Sequence, residues 1–413
     1  MRYISILSFG MFAMSAAVAD DKSFTFPDPL TMRDGTKITT KDEWTTKRKP
    51  ELRELFQAHM YGRYPTVTTT VTGKTLYEDK AAFGGLATVQ EVELSLGLKN
   101  CPPIYLLIAV PNKRPADGSP IFVGLNFDGN HAHLDDKQIR LPTGWMLASR
   151  KGVKDNRTTE EGRGSCKTLW PIEQIIKSGY SVCTCYYGDI SEDRKETNGP
   201  LAPFVVDPIL KDDAERTESI MLWAWGIHRM VDYVETMPTI NKNRIATIGH
   251  SRLGKTALLA GAFDDRIAAV FPNQAGCGGT GPSRHADLKA ESVKRINTAF
   301  PHWFSGTFKT YNDALNKLPI DQHLLLAMCV PRPVLYTNAE EDKWANPNGQ
   351  FEMMLLANPV YELFGSKGTN STTRPKLKEL NKEQLGYWMR PGQHELNPDD
   401  WATFITFADR WMK

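Results

Sequence analysis

The chain has 413 residues, of which 41% are hydrophobic and 10% aromatic, a content that suits a packed globular core and excludes wholesale disorder. Its 50 lysines and arginines nearly balance its 48 aspartates and glutamates. The formal net charge of +2 provides no basic field for nucleic acid, so we expect no nucleic-acid partner. Separately, we expect a monomer.

The first 19 residues have the pattern of a secretory signal peptide. Arg2 supplies the positive charge, residues 4–14 form an apolar run, and residues 17–19 are an A-x-A cleavage site. The apolar run is too short to anchor the chain in a membrane. We therefore expect a secreted or periplasmic protein that is cut after Ala19. Residues 20–413 are expected to form a single domain with an N-terminal extension and long surface loops.

Export makes the six cysteines candidates for disulfides, although the sequence cannot choose among the 15 possible pairings. Cys183 and Cys185 lie two residues apart on a predicted strand, share one face and cannot readily pair with each other. The other cysteines are Cys101, Cys166, Cys277 and Cys329.

Strand and helix patterns alternate along the second half of the chain. In chain order, the pattern predicts a helix at 51–61, strands at 87–98, 104–110 and 121–127, a surface loop at 128–165, a helix at 171–178, a strand at 180–187, a helix at 215–236, a strand at 244–249, a helix at 252–263, strands at 267–272 and 334–337, and a helix at 400–413. This alternation predicts an α/β fold, a three-layer sandwich with a mostly parallel central sheet.

Two motifs overlap where the strand at 244–249 meets the helix at 252–263. Residues 249–256 fit the phosphate-binding P-loop, but an exported protein meets little ATP, and no apolar strand ends in a second magnesium ligand at a suitable place. The same residues fit a nucleophile elbow with Ser251 at the turn, although Leu253 takes the place of the second glycine. A serine that only caps the helix is the simpler alternative.

Residues further along the chain favour the elbow. In that arrangement an acid follows a late strand, and a histidine lies near the C-terminus. Asp342 lies just beyond the strand at 334–337, with Glu340 and Glu341 as alternative acids, and His394 lies in a glycine-containing loop before the last helix. The chain order of serine, acid and histidine therefore predicts a catalytic triad.

The other histidines suit other roles. His250 adjoins the serine and is expected to point away from it. Five more lie in helix-like segments, among aromatic residues or ahead of the candidate acids, namely His59, His228, His323, His302 and His285. An acid-rich loop could bind a metal through His131, His133, Asp128, Asp135 and Asp136. Because such loops more often stay solvated, we expect no metal and no cofactor.

With these residues assembled, the chain resembles the glucuronoyl esterases of carbohydrate esterase family 15, especially their bacterial members, which have the α/β-hydrolase fold. The likeness runs from about Trp44 to the C-terminus. It is densest in residues 249–255, 273–279, 300–304 and 342–344 and at His394.

The resemblance implies hydrolysis of esters that join 4-O-methyl-glucuronic acid of glucuronoxylan to lignin alcohols. It implies that Ser251 attacks the carbonyl carbon, that His394 moves the proton and that Arg252 stabilises the oxyanion. It also implies that the sugar is bound by residues matching Lys255, Trp344 and, more loosely, Glu291. Another exported carbohydrate esterase, such as an acetyl xylan esterase, remains the alternative.

The chain departs from the family pattern at two positions. Many members have the triad acid where this chain has Gln274, and a neutral amide cannot stabilise an imidazolium. That role is therefore expected to pass to Asp342. Fungal members have a disulfide-forming cysteine where this chain has His250, so that disulfide is absent.

Overall fold

The computed structural model describes residues 24–197, 199–207 and 213–413. The predicted signal peptide, residues 1–19, lies outside the described residues. Within those ranges, every helix is too short or too polar to cross a bilayer.

In the described residues, nine strands form one central sheet in the order β1-β2-β3-β7-β4-β8-β9-β10-β11. Their bounds are β1 Thr72–Ala81, β2 Ala87–Ser95, β3 Ile104–Pro111, β4 Ser119–Asn126, β7 Ser181–Tyr186, β8 Ile240–His250, β9 Ala269–Asn273, β10 Val334–Ala339 and β11 Leu385–Arg390. A small separate hairpin consists of β5 Val153–Lys154 and β6 Arg157–Thr158.

The six strands from β7 to β11 in this order are parallel, while β1, β2 and β3 pair in antiparallel fashion. His250 at the end of β8 pairs with Asn273 at the end of β9, and Thr337 of β10 pairs with the same asparagine. The carboxyl ends of these strands therefore meet at one edge of the sheet. Loops that leave this edge can bring distant residues together, as is usual for ligand sites in open α/β sheets.

Helices cover both faces of the sheet. Their bounds are α1 Lys41–Glu43, α2 Lys49–Phe56, α3 Ala82–Gly85, α4 Ile172–Lys177, α5 Ala202–Val205, α6 Ser219–Val234, α7 Arg252–Phe263, α8 Val293–Ala299, α9 Gly306–Lys309, α10 Gln322–Ala327, α11 Pro347–Leu363 and α12 Pro398–Trp411. Alternating residues of β4 face opposite cores, with Ile121 and Val123 packed on the side of α6 and α7, and Phe122 on the side of α4 and α12. The predicted α/β-hydrolase fold with a mostly parallel sheet is confirmed.

Several boundaries differ from the sequence prediction. The helix predicted at 51–61 consists of α2 followed by a π-helical turn, Gln57–Tyr61. The loop predicted at 128–165 contains the β5–β6 hairpin and two short 3₁₀ turns. Helix α7 has the predicted bounds, whereas β1, α11 and β11 were not predicted.

All six cysteines are unpaired. Four of them, Cys183, Cys185, Cys277 and Cys329, are buried as ordinary core side chains. None of the possible pairings between the candidate cysteines is therefore formed in this structure, and the chain is held by the two hydrophobic cores on the faces of the sheet.

Candidate active site

Ser251 occupies the sharp turn between β8 and α7. Its backbone has φ +58° and ψ −125°, a strained conformation for a residue with a side chain. A Cβ on Gly249 would lie 2.0 Å from the carbonyl oxygen of Leu253, and one on Gly254 would lie 2.9 Å from that of Asn273. The Leu253 side chain is buried in the core. The glycine that the turn needs is therefore at position 254, which explains the departure from the usual elbow pattern.

His394 and Asp342 are hydrogen-bonded to each other. The imidazole Nδ1 lies 2.6 Å from Asp342 Oδ2, and the carboxylate is almost fully buried at the end of β10. Its other oxygen, Oδ1, accepts a hydrogen bond from the backbone N–H of Ala345 at 3.2 Å. A carboxylate at Nδ1 keeps the proton on that nitrogen and leaves Nε2 as the basic atom. Of the alternative acids, Glu341 is exposed to solvent.

Two side chains hold the loop that carries His394. Gln274 Nε2 donates to the carbonyl of Glu395 at 2.7 Å, and its Oε1 accepts from the N–H of the same residue at 3.2 Å. Arg390 is buried and donates to the carbonyls of Pro391, Gln393 and Glu395. The imidazole is thus attached to a loop fixed from both sides.

His250 lies against His394 and does not point away from the site as predicted. The centroids of the two rings are 4.6 Å apart, and Nδ1 of His250 is hydrogen-bonded to Asn273 Oδ1. Burial and the neighbouring His394 hold the pKa of His250 well below its usual range. His250 therefore packs as a neutral ring against the imidazole of His394. The hydrogen bond to Asn273 at the end of β9 holds the His250 ring in this orientation.

Arg252 begins α7 directly after Ser251. Its Nη1 forms an ion pair with the buried carboxylate of Asp193, and its guanidinium carbon lies 4.7 Å from the centroid of the Trp303 ring. His302 Nε2 also forms a hydrogen bond with Asp193, at 2.8 Å. The sequence predicted only packing against aromatic residues for His302, so this polar contact was missed.

Lys255 and Glu291 lie together in a buried pocket. Lys255 Nζ donates to the carbonyls of Ala275 and Cys277, at 2.6 Å each. An ammonium has three N–H groups, so one of them remains for a ligand. Burial lowers the pKa of Lys255 and raises that of Glu291, and the attraction between the two only partly offsets this. The indole of Trp344 is half-exposed at the rim of the same pocket.

Two cavities meet at Ser251, and both are also lined by Arg252 and His394. The polar cavity, of about 220 Å³, is lined by Lys255, Gln274, Glu291, Trp344 and neighbouring residues. The aromatic cavity, of about 310 Å³, is lined by Phe127, Leu169, Trp170, Leu396, Asp128, Arg150 and others. A substrate whose scissile bond lies at Ser251 would therefore place one group in the polar cavity and a chemically different group in the aromatic cavity.

The structure does not favour the other readings of these segments. A P-loop lysine must reach phosphates, whereas Lys255 is buried and bonded to two carbonyls. Across the part of the chain that the structure describes, no three His, Cys, Asp or Glu side chains are grouped to hold a metal ion. His133 of the acid-rich loop instead lies in the wall of the aromatic cavity.

Sequence reasoning missed Asp193, Arg390 and the aromatic cavity. Asp193 lies in a run of polar residues typical of a solvated loop, and its partners are 59 and 109 residues away. Arg390 ends a strand that was not predicted. Only Phe127, at the end of a predicted strand, gave a signal, because side chains at that edge of the sheet border the site.

The chain is similar to known carbohydrate esterases over nearly its whole length. A family model described as glucuronyl esterase, fungi, matches residues 210–365. A carbohydrate esterase from an unknown prokaryotic organism is 42% identical over 94% of this chain and 90% of its own length. The solved structure of a promiscuous family 15 carbohydrate esterase from a marine bacterial metagenome has a TM-score of 0.88 and 42% identity, over 94% of this chain and 98% of that chain. The glucuronoyl esterase of Solibacter usitatus has a TM-score of 0.87 and 33% identity, over 95% and 99% of the two chains.

Proposed function

Because the chain belongs to carbohydrate esterase family 15 and is a carboxylic ester hydrolase, we propose that it cleaves esters between 4-O-methyl-glucuronic acid of glucuronoxylan and lignin alcohols. The observation that carries the proposal is the His394–Asp342 pair beside Ser251, at the meeting point of a polar and an aromatic cavity. A uronoyl ester has a sugar on one side of the ester bond and, in lignin, an aromatic alcohol on the other.

The reaction uses Ser251 as nucleophile in two steps. As Ser251 Oγ bonds to the carbonyl carbon, His394 Nε2 takes its proton. The bond from that carbon to the alcohol oxygen then breaks, and the alcohol leaves with the proton from His394. Water then attacks the acyl-enzyme while His394 takes one of its protons. The bond from the carbonyl carbon to Ser251 Oγ breaks, and His394 returns the proton to Oγ, which releases the uronic acid and free Ser251. Asp342 stabilises the imidazolium in both steps.

Arg252 is proposed to stabilise the oxyanion. It lines both cavities beside Ser251, so its guanidinium borders the position where the carbonyl oxygen gains charge. Removal of one such donor typically costs about 10²–10³ in kcat.

The polar cavity is proposed to hold the sugar. The third N–H of Lys255 and the carboxyl group of Glu291 offer a donor and an acceptor for ring hydroxyls, and the exposed face of Trp344 can cover the ring. The aromatic cavity is proposed to hold the alcohol, whose ring would pack on Phe127 and Trp170.

Hydrolysis of benzyl glucuronate, compared with release of acetate from acetylated xylan, tests the proposal. We expect the wild-type enzyme to hydrolyse the benzyl ester and Ser251→Ala to lose that activity while keeping the wild-type melting temperature. Activity on acetate alone would identify an acetyl xylan esterase and contradict the proposal. Unchanged turnover by Ser251→Ala would contradict the assigned nucleophile.

Export and a monomeric state are also part of the proposal. The proposal of export rests on the signal pattern of residues 1–19. The mass of the protein recovered from the periplasm or medium of a producing cell should correspond to a chain starting at Asp20. Light scattering should give the mass of one chain.

A further inference from the structure

A buried carboxylate lies behind the arginine of the site. Asp193 follows the 3₁₀ turn Tyr187–Asp189, and its side chain is 1% exposed. Four donors converge on its two oxygens, namely Arg252 Nη1, His302 Nε2 at 2.8 Å, Trp303 Nε1 at 2.7 Å and Tyr187 OH at 3.2 Å. Each carboxylate oxygen accepts two hydrogen bonds, so the group is fully satisfied.

Asp193 is therefore a permanent negative charge. Burial alone would raise its pKa, but the hydrogen bond from His302, the charge of Arg252 and the hydrogen bond from Trp303 together hold the pKa well below its usual range. Since the guanidinium is also always charged, Asp193 and Arg252 form a pair with no net charge.

The same contacts fix the position of Arg252. Asp193 holds Nη1, and the aromatic rings of Trp303, Phe300 and Phe127 lie 4.7, 5.5 and 5.7 Å from the guanidinium carbon. Within the described residues, Arg252 Nε is buried and has no hydrogen-bond partner. The guanidinium is thus held by one end, while the Arg252 side chain is still 19% exposed and lines both cavities beside Ser251.

The substrate and the product of the proposed reaction differ in charge at this position. The esterified carboxyl of the substrate is neutral, whereas the released uronic acid carries a full negative charge at neutral pH. A free guanidinium binds a carboxylate strongly through two parallel hydrogen bonds. An arginine without a counter-ion would therefore retain the product.

We propose that Asp193 is a positioning residue that fixes Arg252 where the oxyanion forms and cancels its net charge so that the uronate product leaves. This inference rests on the proposed function. Positioning of Arg252 depends on the geometry of the ion pair, whereas release of the product depends on its charge. Substitutions that change only one of these properties can therefore separate the two roles.

Asp193→Glu keeps the charge and displaces the guanidinium, whereas Asp193→Asn removes the charge. With benzyl glucuronate as substrate and glucuronate as inhibitor, we expect Asp193→Glu to lower kcat about 10-fold or more and leave the inhibition constant of glucuronate within about 3-fold of wild type. We expect Asp193→Asn to lower kcat as well and to strengthen inhibition by glucuronate at least about 10-fold.

Both effects should require the arginine. In an Arg252→Ala background, a further Asp193→Asn substitution should change kcat and the inhibition constant by less than about 3-fold. Losses of the same size in the two backgrounds would mean that Asp193 only supports the fold, and would overturn the proposal. Inhibition that is unchanged in Asp193→Asn would overturn its charge role.

Asp321→Asn is the matched control. Asp321 is a fully buried carboxylate paired with Arg284, and neither residue lines the two cavities. We expect this substitution to lower the melting temperature without changing inhibition by glucuronate. If Asp193→Asn does not fold, Asp193→Glu decides, because a stronger glucuronate inhibition in that variant overturns the proposal. A wild-type enzyme inactive on benzyl glucuronate would instead refute the proposed function.

Discussion

The sequence predicts that Gln274 cannot act as the triad acid, but it does not predict that Gln274 holds the histidine loop. Its amide both donates to and accepts from the backbone of Glu395, next to His394. A carboxylate at that position could only accept, so the two-point contact requires an amide. Gln274 also has a positive φ of 48°, which directs its side chain from the end of β9 toward the histidine loop.

The acid that supports the imidazolium is predicted to be Asp342. Asp342→Asn should lower kcat by about 10³–10⁴, because the amide can no longer stabilise the charged ring or fix its tautomer. Gln274→Ala removes only the contact that positions the loop and should lower kcat by about 10-fold or less. Steady-state kinetics on benzyl glucuronate measure both, and the reverse ranking would show that the acid assignment is wrong.

Some residues of the candidate site could be predicted from sequence and others could not, for a physical reason. The α/β-hydrolase sheet fixes the chain order of serine, acid and histidine, so a motif and two loops suffice to select Ser251, Asp342 and His394. No comparable rule of chain order predicts the position of Asp193. It is identified only by the donors that surround it, and these come from Arg252, from the loop before α9 and from Tyr187.

At the scale of elements, the loop between β11 and α12 depends on one buried arginine. Arg390 reaches three loop carbonyls, and its Nε also bonds to the buried carboxylate of Asp400. Asp400 in turn forms a capping box with Asn397 at the start of α12. The strand, the loop and the helix are thus joined through one guanidinium.

Arg390→Lys should therefore reduce activity without removing a catalytic group. Lysine keeps the charge but cannot make the same set of bonds, so we expect kcat to fall about 10-fold or more and stability to fall by about 1–3 kcal/mol. Arg266 offers a control, because it pairs with Asp232, Glu235 and Asp264 away from the site. Arg266→Lys should lose a smaller amount of stability and keep its kcat. Equal losses of kcat in both variants would argue against the loop role.

The elements missed by sequence reasoning lack the pattern that the prediction used. Strand β1 lies at the edge of the sheet and is almost entirely exposed and polar, so no apolar alternation marks it. Helix α11 contains Pro359, which lowers helix propensity, and forms because its apolar side chains pack in the core. By contrast, α7 follows directly from its motif and its alanine- and leucine-rich sequence, and its bounds were predicted correctly.

For the whole molecule, the unpaired cysteines predict that reducing agents have little effect. The core on each face of the sheet contains residues from across the described chain, so stability does not depend on a cross-link. We expect the melting temperature to change by less than about 2 °C on adding dithiothreitol, since the loss of a stabilising disulfide would cost about 2–4 kcal/mol. A larger decrease under reduction would show that a disulfide forms in the purified protein.

Buried and half-buried histidines are distributed through both halves of the fold and link its stability to pH. Burial lowers the pKa of six histidines, namely His59, His131, His133, His228, His250 and His323. For His131 and His228 the pKa falls to about 4. An unfolded histidine takes up a proton near pH 6.5. Between about pH 6.5 and 4 the unfolded chain therefore binds more protons than the native one, and these groups make stability fall as the pH falls.

Substitution of His228 separates the contribution of one buried histidine from that of the carboxyl groups that titrate in the same pH range. Its Nδ1 lies 2.7 Å from the Tyr64 hydroxyl and its Nε2 3.0 Å from the carbonyl of Ala260, contacts that a glutamine can largely reproduce. Between pH 6 and 5, the free energy of unfolding of the wild type should fall by about 1 kcal/mol more than that of His228→Gln, because only the wild type carries the buried neutral imidazole. Urea unfolding at the two pH values measures this difference. Equal slopes for the two proteins would mean that His228 accepts a proton as readily in the folded chain as in the unfolded one.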